Sequence, residues 1–283
     1  MVGRAVSEYC KLAGDEVLPC DHASLDISDA RAVMRTLESG RPDTVINCAA
    51  WTDVDACESD EARAQAVNAR GPENLARACR AVSAAFVTIS TDYVFKGDKD
   101  GFYTQRDDPN PQSVYAASKL DGERRAQIAY ARTIVVRSGF IFGPGGRNFL
   151  SRVLGWTRCG EKFKAIANAW GTPTYAPHLA ARLRELAVLD LPGTYHVVNA
   201  GEGASYEEFA RAVVHEAQGD ERIIETIRAE SLKRAAPRPQ NSRLRCLLSE
   251  AIGFPPLPAW REAVRDFVAV SAMAKPENQF LLF

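Results

Sequence analysis

The sequence lacks the patterns of a metal-binding, nucleic-acid-binding or membrane-spanning protein. Its 283 residues include seven cysteines and four histidines, none at a spacing typical of metal ligands such as C-x-x-C. We interpret the cysteines as reduced thiols in the core and expect no metal site. The formal net charge is −1 and neither sign forms a long block, so no nucleic-acid partner is expected.

A long apolar run is also absent from the sequence. No stretch reaches the roughly 18 apolar residues of a membrane span. The first residues, 1–7, contain no apolar segment typical of a secretory signal. We therefore expect a cytoplasmic protein with no membrane partner. Hydrophobic residues make up 46% of the chain, which is enough for one large core or two smaller ones.

Through the first half of the chain, apolar β-branched segments alternate with amphipathic ones. Continuous apolar strands are typical of a parallel sheet that is buried on both faces. We therefore predict an α/β fold with a doubly wound, Rossmann-type parallel sheet. The predicted elements are a helix over 2–13, a strand over 16–20, a helix capped by Ser28 and running to 38, a strand over 44–48, a helix over 72–82, a strand over 86–90, a helix over 113–130 and a strand over 133–137.

The alternation weakens after the glycine-rich segment 143–146. We predict a dinucleotide-binding core over residues 1–145 and mainly a smaller, substrate-binding region over residues 146–283. Residues 195–199 have the pattern of one more apolar strand, so residues 173–200 are expected to return to the core.

Tyr115 and Lys119 are four residues apart on a predicted helix, which places both side chains on one face. That spacing is weak evidence by itself, since an amphipathic surface pair has it too. Thr91 strengthens the case because it ends an apolar strand, and α/β sheets bind ligands at the carboxyl ends of their strands. We therefore predict that Thr91, Tyr115 and Lys119 form one catalytic set.

Reduction of a ketone by hydride requires these three residue types. A proton must reach the ketone oxygen as negative charge develops there, and a phenol with a pKa near ~10 is a poor acid at neutral pH. A neighbouring ammonium group lowers the pKa of the phenol. Tyr115 is thus the predicted proton donor. Lys119 tunes its pKa and can bond a nicotinamide ribose, while the Thr91 hydroxyl can hold the substrate oxygen.

Five segments of the chain resemble the dTDP-4-dehydrorhamnose reductase family, within the extended short-chain dehydrogenases/reductases. They cover nearly the whole chain in the family's order, and the second and third are the most specific. The segments are VINCAAWT at 45–52, ISTDYVF at 89–95, NPQSVYAASKLDGE at 110–123, GTPT at 171–174 and PRPQNS at 237–242.

The resemblance implies a function and a set of site residues. The family reduces the C4 ketone of dTDP-4-dehydro-L-rhamnose with NADPH or NADH, and its catalytic positions fall on Thr91, Tyr115 and Lys119. The expected partner is a nucleotide sugar, and a homodimer is left open. The implied cofactor contacts, besides Tyr115 and Lys119, are Gly3, Asp21, Asp26, Ile27, Cys48, Ala49 and Ala50. The implied substrate contacts are Thr91, Tyr93, Phe140, Trp170 and Arg238.

The chain departs from the family pattern at two substrate positions and at its start. Phe140 stands where the family usually has tryptophan, and Asn168-Ala169 where it usually has Asp-Gln, so the exact sugar stays open. Gly3 matches only the last glycine of a dinucleotide-binding turn, and the strand before that turn is not found. We therefore expect the strand over 16–20 to lack its inner neighbour and the 283-residue chain to bind NAD(P)H poorly.

Two other functions are left open by the sequence. A non-catalytic regulatory subunit of the same fold, like that of methionine adenosyltransferase, fits the missing glycines but not the intact catalytic set. A sugar-nucleotide epimerase or dehydratase is the other. A dehydratase usually has Asp-Glu after the threonine, and Asp92-Tyr93 in this chain weakens that alternative.

Overall fold

A computed structural model describes residues 1–273, so the end of the predicted substrate-binding region, 274–283, lies outside the described residues. The strands are β1 (Thr44–Asn47), β2 (Ala85–Thr91), β3 (Thr133–Ser138), β4 (Ile141–Phe142), β5 (Phe163–Ile166), β6 (Trp170–Gly171), β7 (Thr174–Tyr175), β8 (Gly193–His196), β9 (Asn199–Ala200), β10 (Ala204–Ser205), β11 (Ile224–Ile227) and β12 (Leu257–Ala259). The helices are α1 (Val2–Leu12), α2 (Ala30–Gly40), α3 (Val54–Ser59), α4 (Glu61–Ala64), α5 (Gly71–Val82), α6 (Val114–Ala129), α7 (Phe149–Cys159), α8 (Ala176–Leu189), α9 (Tyr206–Glu216), α10 (Leu247–Ala251) and α11 (Trp260–Met273).

The main sheet is parallel and has the order β1–β2–β3–β8. Alternate residues of β2 face opposite sides of it, as the period of a strand requires. Val87 packs with Val6 of α1 and Leu179 of α8 on one face. Phe86 packs with Val33 of α2 and with α5 and α6 on the other face. Helices cover both faces of a parallel sheet, which confirms the predicted doubly wound fold.

A second core lies in the C-terminal part of the described chain. Helices α7, α9 and α11 pack there around Phe209 and Trp260. Strands β5 and β11 form a parallel pair beside them. Between α7 and α9 the chain enters the main sheet once, where β8 pairs with β3. None of the helices within residues 1–273 combines the length and the hydropathy needed to span a bilayer.

Most predicted elements of the first half are confirmed within two residues, and two predictions are wrong. Residues 16–20 form no strand, because in the described chain no other strand lies beside them to supply ladder hydrogen bonds. β1 correspondingly pairs with β2 on one side only. Helix α2 is capped by Asp29, whose carboxylate accepts two backbone N–H groups of the first turn, and not by Ser28. The Ser28 hydroxyl is already bonded to Asp26.

Candidate active site

The predicted catalytic residues lie at the carboxyl end of the main sheet, on β2 and α6. β2 ends at Thr91. Helix α6 begins after Ser113, whose hydroxyl accepts the backbone N–H of Ala116 and so satisfies one free donor of the first turn. Tyr115 and Lys119 occupy the first two turns of α6, and both are buried. The structure therefore brings the three side chains to one place at the sheet edge.

The ammonium group of Lys119 is anchored to the end of β2. Its Nζ donates a hydrogen bond of 2.7 Å to the carbonyl oxygen of Ile89. Burial lowers the pKa of Lys119 to about 8, and the negative charge of Glu123 opposes that shift. Glu123 follows Lys119 by one helical turn and binds Arg137 of β3, with Nη2 and Oε2 2.7 Å apart. An almost completely buried ion pair thus flanks Lys119.

The phenol of Tyr115 lies in an apolar environment. Its side chain packs against Trp51 and Cys57, and its ring meets the ring of Tyr93 edge-on, with centroids 6.3 Å apart. Burial raises the pKa of Tyr115 well above its ordinary value, and a hydrogen bond between its phenol and the Thr91 hydroxyl opposes the rise. Because its pKa is raised, the Tyr115 phenol is protonated, which a proton donor must be before the reaction.

A buried carboxylate, Asp92, lies next to Thr91 and was not among the predicted site residues. Thr91 Oγ1 donates to Asp92 Oδ1 at 3.0 Å and accepts the backbone N–H of Tyr93 at 3.1 Å. Ser242 Oγ donates to Asp92 Oδ2 at 2.5 Å. A methyl group on Gly139 would lie only 2.3 Å from this carboxylate, so Asp92 is tightly enclosed. Burial raises the pKa of Asp92 to about 6, although these hydrogen bonds oppose the shift.

One group of predicted cofactor residues lies near Lys119. A Cβ added to Gly3, in the first turn of α1, would lie 3.5 Å from the Cβ of Cys48, which follows β1. Burial raises the pKa of Cys48 to about 12, and the positive charges of the chain's amino group and of Lys119 oppose the rise. Cys48 therefore lies between the start of α1 and Lys119. Ala49 and Ala50 continue the loop from Cys48.

The other predicted cofactor residues lie in the segment between α1 and α2. Asp21 is exposed, and its Oδ1 accepts the N–H and the hydroxyl of Ser24, both at 2.9 Å. Asp26 Oδ1 accepts the N–H and the hydroxyl of Ser28 at 2.9 and 2.7 Å. Ile27 is buried in the core under α2 and α5. Both carboxylates are thus held by local turns, with no bond to the main sheet among their hydrogen bonds in the described chain.

A cavity of about 550 Å³ opens beside Tyr93, on the side of the predicted catalytic residues that faces the C-terminal region. Three predicted substrate residues, Tyr93, Phe140 and Arg238, line it. Thr91 and Trp170 are not among its lining residues. Further lining side chains, which were not among the predicted site residues, are Tyr206, Glu230, Arg234 and Gln240.

Phe140 forms an aromatic wall of the cavity together with Tyr206. The two ring centroids are 4.4 Å apart, and Gly171 lies so close that an added Cβ would be 2.2 Å from the Phe140 ring. Phe140 has a φ of 45°, which is rare for a residue with a side chain. Its position is therefore fixed from both sides. Tyr206 was missed because its only sequence signal, the first position of α9, describes a helix and not a site.

The segment 237–242 is held over the cavity from two directions. The N–H of Trp170 donates to the carbonyl of Gln240, and the carbonyl of Trp170 accepts the N–H of Ser242, both at 2.8 Å. Arg238 Nη2 lies 2.9 Å from Oδ2 of Asp55 on α3. Trp170 thus contributes its backbone to the site, and Asp55 orients the arginine at the cavity.

The described side chains supply acid–base groups and positive charge around one cavity. Tyr93, whose ring meets that of Tyr115 edge-on, lines the cavity, and two arginines, at 234 and 238, lie along it. In the part of the chain that the structure describes, no group of three or more His, Cys, Asp or Glu residues is placed to hold a metal ion. The arrangement can therefore position an anionic ligand and deliver a proton to an oxygen of that ligand.

Comparison with known proteins gives matches over nearly the whole chain. The family model described as "RmlD substrate binding domain" matches residues 1–273. The curated dTDP-4-dehydrorhamnose reductase of Mycobacterium tuberculosis is 37% identical over 283 residues, which cover 98% of this chain and 90% of that protein. The crystal structure of a dTDP-4-dehydrorhamnose reductase from Clostridium acetobutylicum has a TM-score of 0.91 at 32% identity, with 96% of each chain covered. That of the Bacillus anthracis enzyme in complex with NADP also has a TM-score of 0.91 at 32% identity, with 95% of each chain covered.

Proposed function

The chain belongs to the dTDP-4-dehydrorhamnose reductase family, and from that membership we propose that it reduces the C4 ketone of dTDP-4-dehydro-L-rhamnose to give dTDP-L-rhamnose. The observation that carries the proposal is the buried set of Thr91, Tyr115 and Lys119 beside a cavity of about 550 Å³. A buried ammonium group costs folding free energy, so a lysine at such a position indicates a role other than stability. The intact set therefore favours an enzyme over a non-catalytic subunit.

We propose NADPH or NADH as the reductant, and NADP is bound to the relative from Bacillus anthracis. The residues fit such a coenzyme. The first turn of α1, at Gly3, has neither a side-chain cap nor an acidic residue, so its free N–H groups suit a pyrophosphate. The loop at Cys48 leads from there to Lys119, which would bond the nicotinamide ribose. When bound, the coenzyme supplies the hydride that the ketone carbon receives.

Tyr115 completes the reduction by giving its phenolic proton to the ketone oxygen. As the carbon receives the hydride, the carbonyl electron pair moves onto the oxygen and takes up that proton, which leaves a hydroxyl group and a tyrosinate. Lys119 is still mostly protonated at neutral pH, since its pKa of about 8 lies above 7. Its positive charge stabilises the tyrosinate and so makes the proton transfer easier.

We propose that the cavity binds the nucleotide diphosphate part of the substrate as well as the sugar. Arg234 and Arg238 line it, and guanidinium groups bind diphosphate oxygens through charge-assisted hydrogen bonds. Phe140 and Tyr206 offer an aromatic surface on the same cavity. A sugar without the diphosphate would lose about two such bonds, worth roughly 1.5–3 kcal/mol each. Its kcat/KM should therefore be at least about 100-fold lower than that of the nucleotide sugar.

At NADPH concentrations high enough to offset the weak coenzyme binding expected of this chain, the purified protein should oxidise NADPH with dTDP-4-dehydro-L-rhamnose as substrate. NMR of the product should show a new hydroxyl at C4. The free 4-keto sugar should react at least about 100-fold less efficiently. Equal activity on the free sugar would contradict the proposed role of the cavity. Coenzyme and sugar binding without turnover would favour the regulatory subunit, and product formed without net NADPH oxidation would favour a dehydratase or epimerase.

A further inference from the structure

Asp92 has hydrogen-bond partners that fix the hydroxyl group of a catalytic residue. Thr91 has one hydroxyl proton, and it points to Asp92 Oδ1 at 3.0 Å. One lone pair of the same oxygen accepts the N–H of Tyr93 at 3.1 Å. While Asp92 is a carboxylate, which can only accept hydrogen bonds, Thr91 has no proton left for a ketone oxygen. It can only accept a hydrogen bond from the side of Tyr115 and the substrate.

A protonated Asp92 reverses this arrangement without moving a heavy atom. Ser242 Oγ, 2.5 Å from Asp92 Oδ2, can accept the carboxyl proton, because its own proton can go to the carbonyl oxygen of Trp170 at 3.3 Å. Asp92 then no longer needs the proton of Thr91. The Thr91 hydroxyl becomes free to donate into the active site. Loss of the negative charge also makes Tyr115 a stronger acid, since ionised Asp92 raises the pKa of Tyr115.

We propose that Asp92 is a positioning residue whose protonation turns Thr91 from a hydrogen-bond acceptor into a donor toward the substrate ketone. This inference rests on the proposed function. It implies that hydride transfer and proton delivery are faster when Asp92 is neutral, because both changes stabilise the negative charge that develops on the ketone oxygen.

The surroundings of Asp92 allow it to titrate near neutral pH. Burial raises its pKa to about 6, and Asp92 forms no ion pair with a lysine or arginine within residues 1–273. The ionisable groups that face it are three phenols: Tyr93 on its own segment, Tyr115 on α6 and Tyr206 on α9. Arg234 and Arg238, which line the cavity, act on Tyr206: their positive charges oppose the rise in its pKa that burial causes. The turn after β3 presents Gly139 and the loop that carries Ser242 presents a hydroxyl group, and neither carries a charge.

Single-turnover reduction with NADPH tests this proposal, with deuterated NADPH to show that hydride transfer is observed. In the wild type the rate constant should rise on the order of tenfold as pH falls from about 7 to about 5, with a midpoint near pH 6, a range in which Lys119 keeps its proton. Asp92→Asn keeps an acceptor for Thr91 and a donor for Ser242 but cannot titrate, so its rate should be flat over this range. A midpoint near 6 that persists in Asp92→Asn would overturn the proposal.

Three further variants keep the test decisive if Asp92→Asn fails to fold. Ser242→Ala removes a hydrogen bond that favours the carboxylate, so the midpoint should move to higher pH. Ser138→Ala, at a buried hydroxyl without a hydrogen-bond partner in the described chain, is the matched control and should leave the midpoint in place. Thr91→Val should lose most of the pH step, and a full step in that variant would show that Thr91 is not the residue being positioned.

A readout without substrate separates this inference from the proposed function. In protein labelled with ¹³C at the aspartate carboxyl groups, the resonance that Asp92→Asn removes should titrate near pH 6 and shift to higher pH in Ser242→Ala. A wild type that cannot reduce the nucleotide sugar would contradict the proposed function alone. An Asp92 carboxyl that stays ionised down to about pH 4 would overturn the present inference alone.

Discussion

The catalytic set and the segment between α1 and α2 hold their functional side chains in opposite ways. Lys119 and Asp92 are buried, and their partners are distant in sequence, at Ile89 and Ser242. Asp21 is exposed and bonded only three residues away, to Ser24. A buried side chain that is hydrogen-bonded to a residue distant in sequence is held as firmly as a residue of the hydrophobic core. A local turn leaves the side chain free to exchange its partner for a ligand. We therefore expect substitutions in and around the catalytic set to have larger effects on activity and stability than substitutions between α1 and α2.

The largest effect is expected for Tyr115→Phe. The substitution removes one oxygen atom and the proton that the ketone must receive, so turnover should fall by about 10³-fold, within the usual range for a general acid. Affinity for NADPH should stay within about twofold, since the phenol does not hold the pyrophosphate. Single-turnover kinetics and fluorescence titration with NADPH would measure the two quantities separately.

Tyr9→Phe is the matched control for this prediction. Tyr9 lies on α1 and is 39% exposed, so removal of its hydroxyl group should change neither quantity. Near-normal turnover in Tyr115→Phe would show that another group delivers the proton. Equal losses of turnover and of coenzyme affinity would instead place Tyr115 at the coenzyme.

The next largest effect concerns the buried ion pair beside Lys119. Glu123→Gln leaves the guanidinium group of Arg137 without its charge partner, although only 9% of the Arg137 side chain is exposed. Removal of one partner of a buried pair typically costs about 3–5 kcal/mol of unfolding free energy. Urea unfolding followed by circular dichroism would measure the loss. Glu123 also raises the pKa of Lys119, so the variant should lose activity at a lower pH on the alkaline side.

The control for the ion pair comes from the other region. Asp15 and Arg184 form a pair with side chains 38% and 29% exposed, and such solvent-screened pairs contribute little to stability. Asp15→Asn should therefore change the urea midpoint far less than Glu123→Gln does. Similar losses of stability in Asp15→Asn and Glu123→Gln would mean that burial does not determine how much an ion pair contributes in this protein.

The same contrast explains what the sequence could predict. The strand ending at Thr91 and the helix that carries Tyr115 and Lys119 have strong local patterns, so the amino-acid sequence alone was enough to place their side chains together. The hydrogen bond from Ser242 to Asp92 joins residues 150 positions apart, and no local sequence pattern predicts it.

The strand predicted over 16–20 failed for a related reason. Its apolar residues satisfy the local pattern, but a strand exists only where a neighbour supplies hydrogen bonds. Tyr206 likewise became part of the cavity through packing against Phe140, a residue 66 positions earlier in the chain. Local periodicity therefore predicted elements and the residues at their ends, whereas the partners from the C-terminal region are set by tertiary packing.

The smallest effect is expected in the exposed region, for Asp21→Asn. Hydrogen bonds from Ser24 lower the pKa of Asp21, so its carboxylate is ionised at neutral pH. A carboxylate at this place would accept hydrogen bonds from the adenosine ribose of NADH and repel the 2′-phosphate of NADPH. The substitution should weaken NADH binding and strengthen NADPH binding, each by about 3- to 10-fold. Fluorescence titration with both coenzymes gives the ratio of the two dissociation constants, and Asp15→Asn, an exposed carboxylate of the same region, should leave that ratio unchanged. An unchanged ratio in Asp21→Asn would show that Asp21 lies away from the ribose, and a loss of binding for both coenzymes alike would show that it supports the segment and does not select the coenzyme.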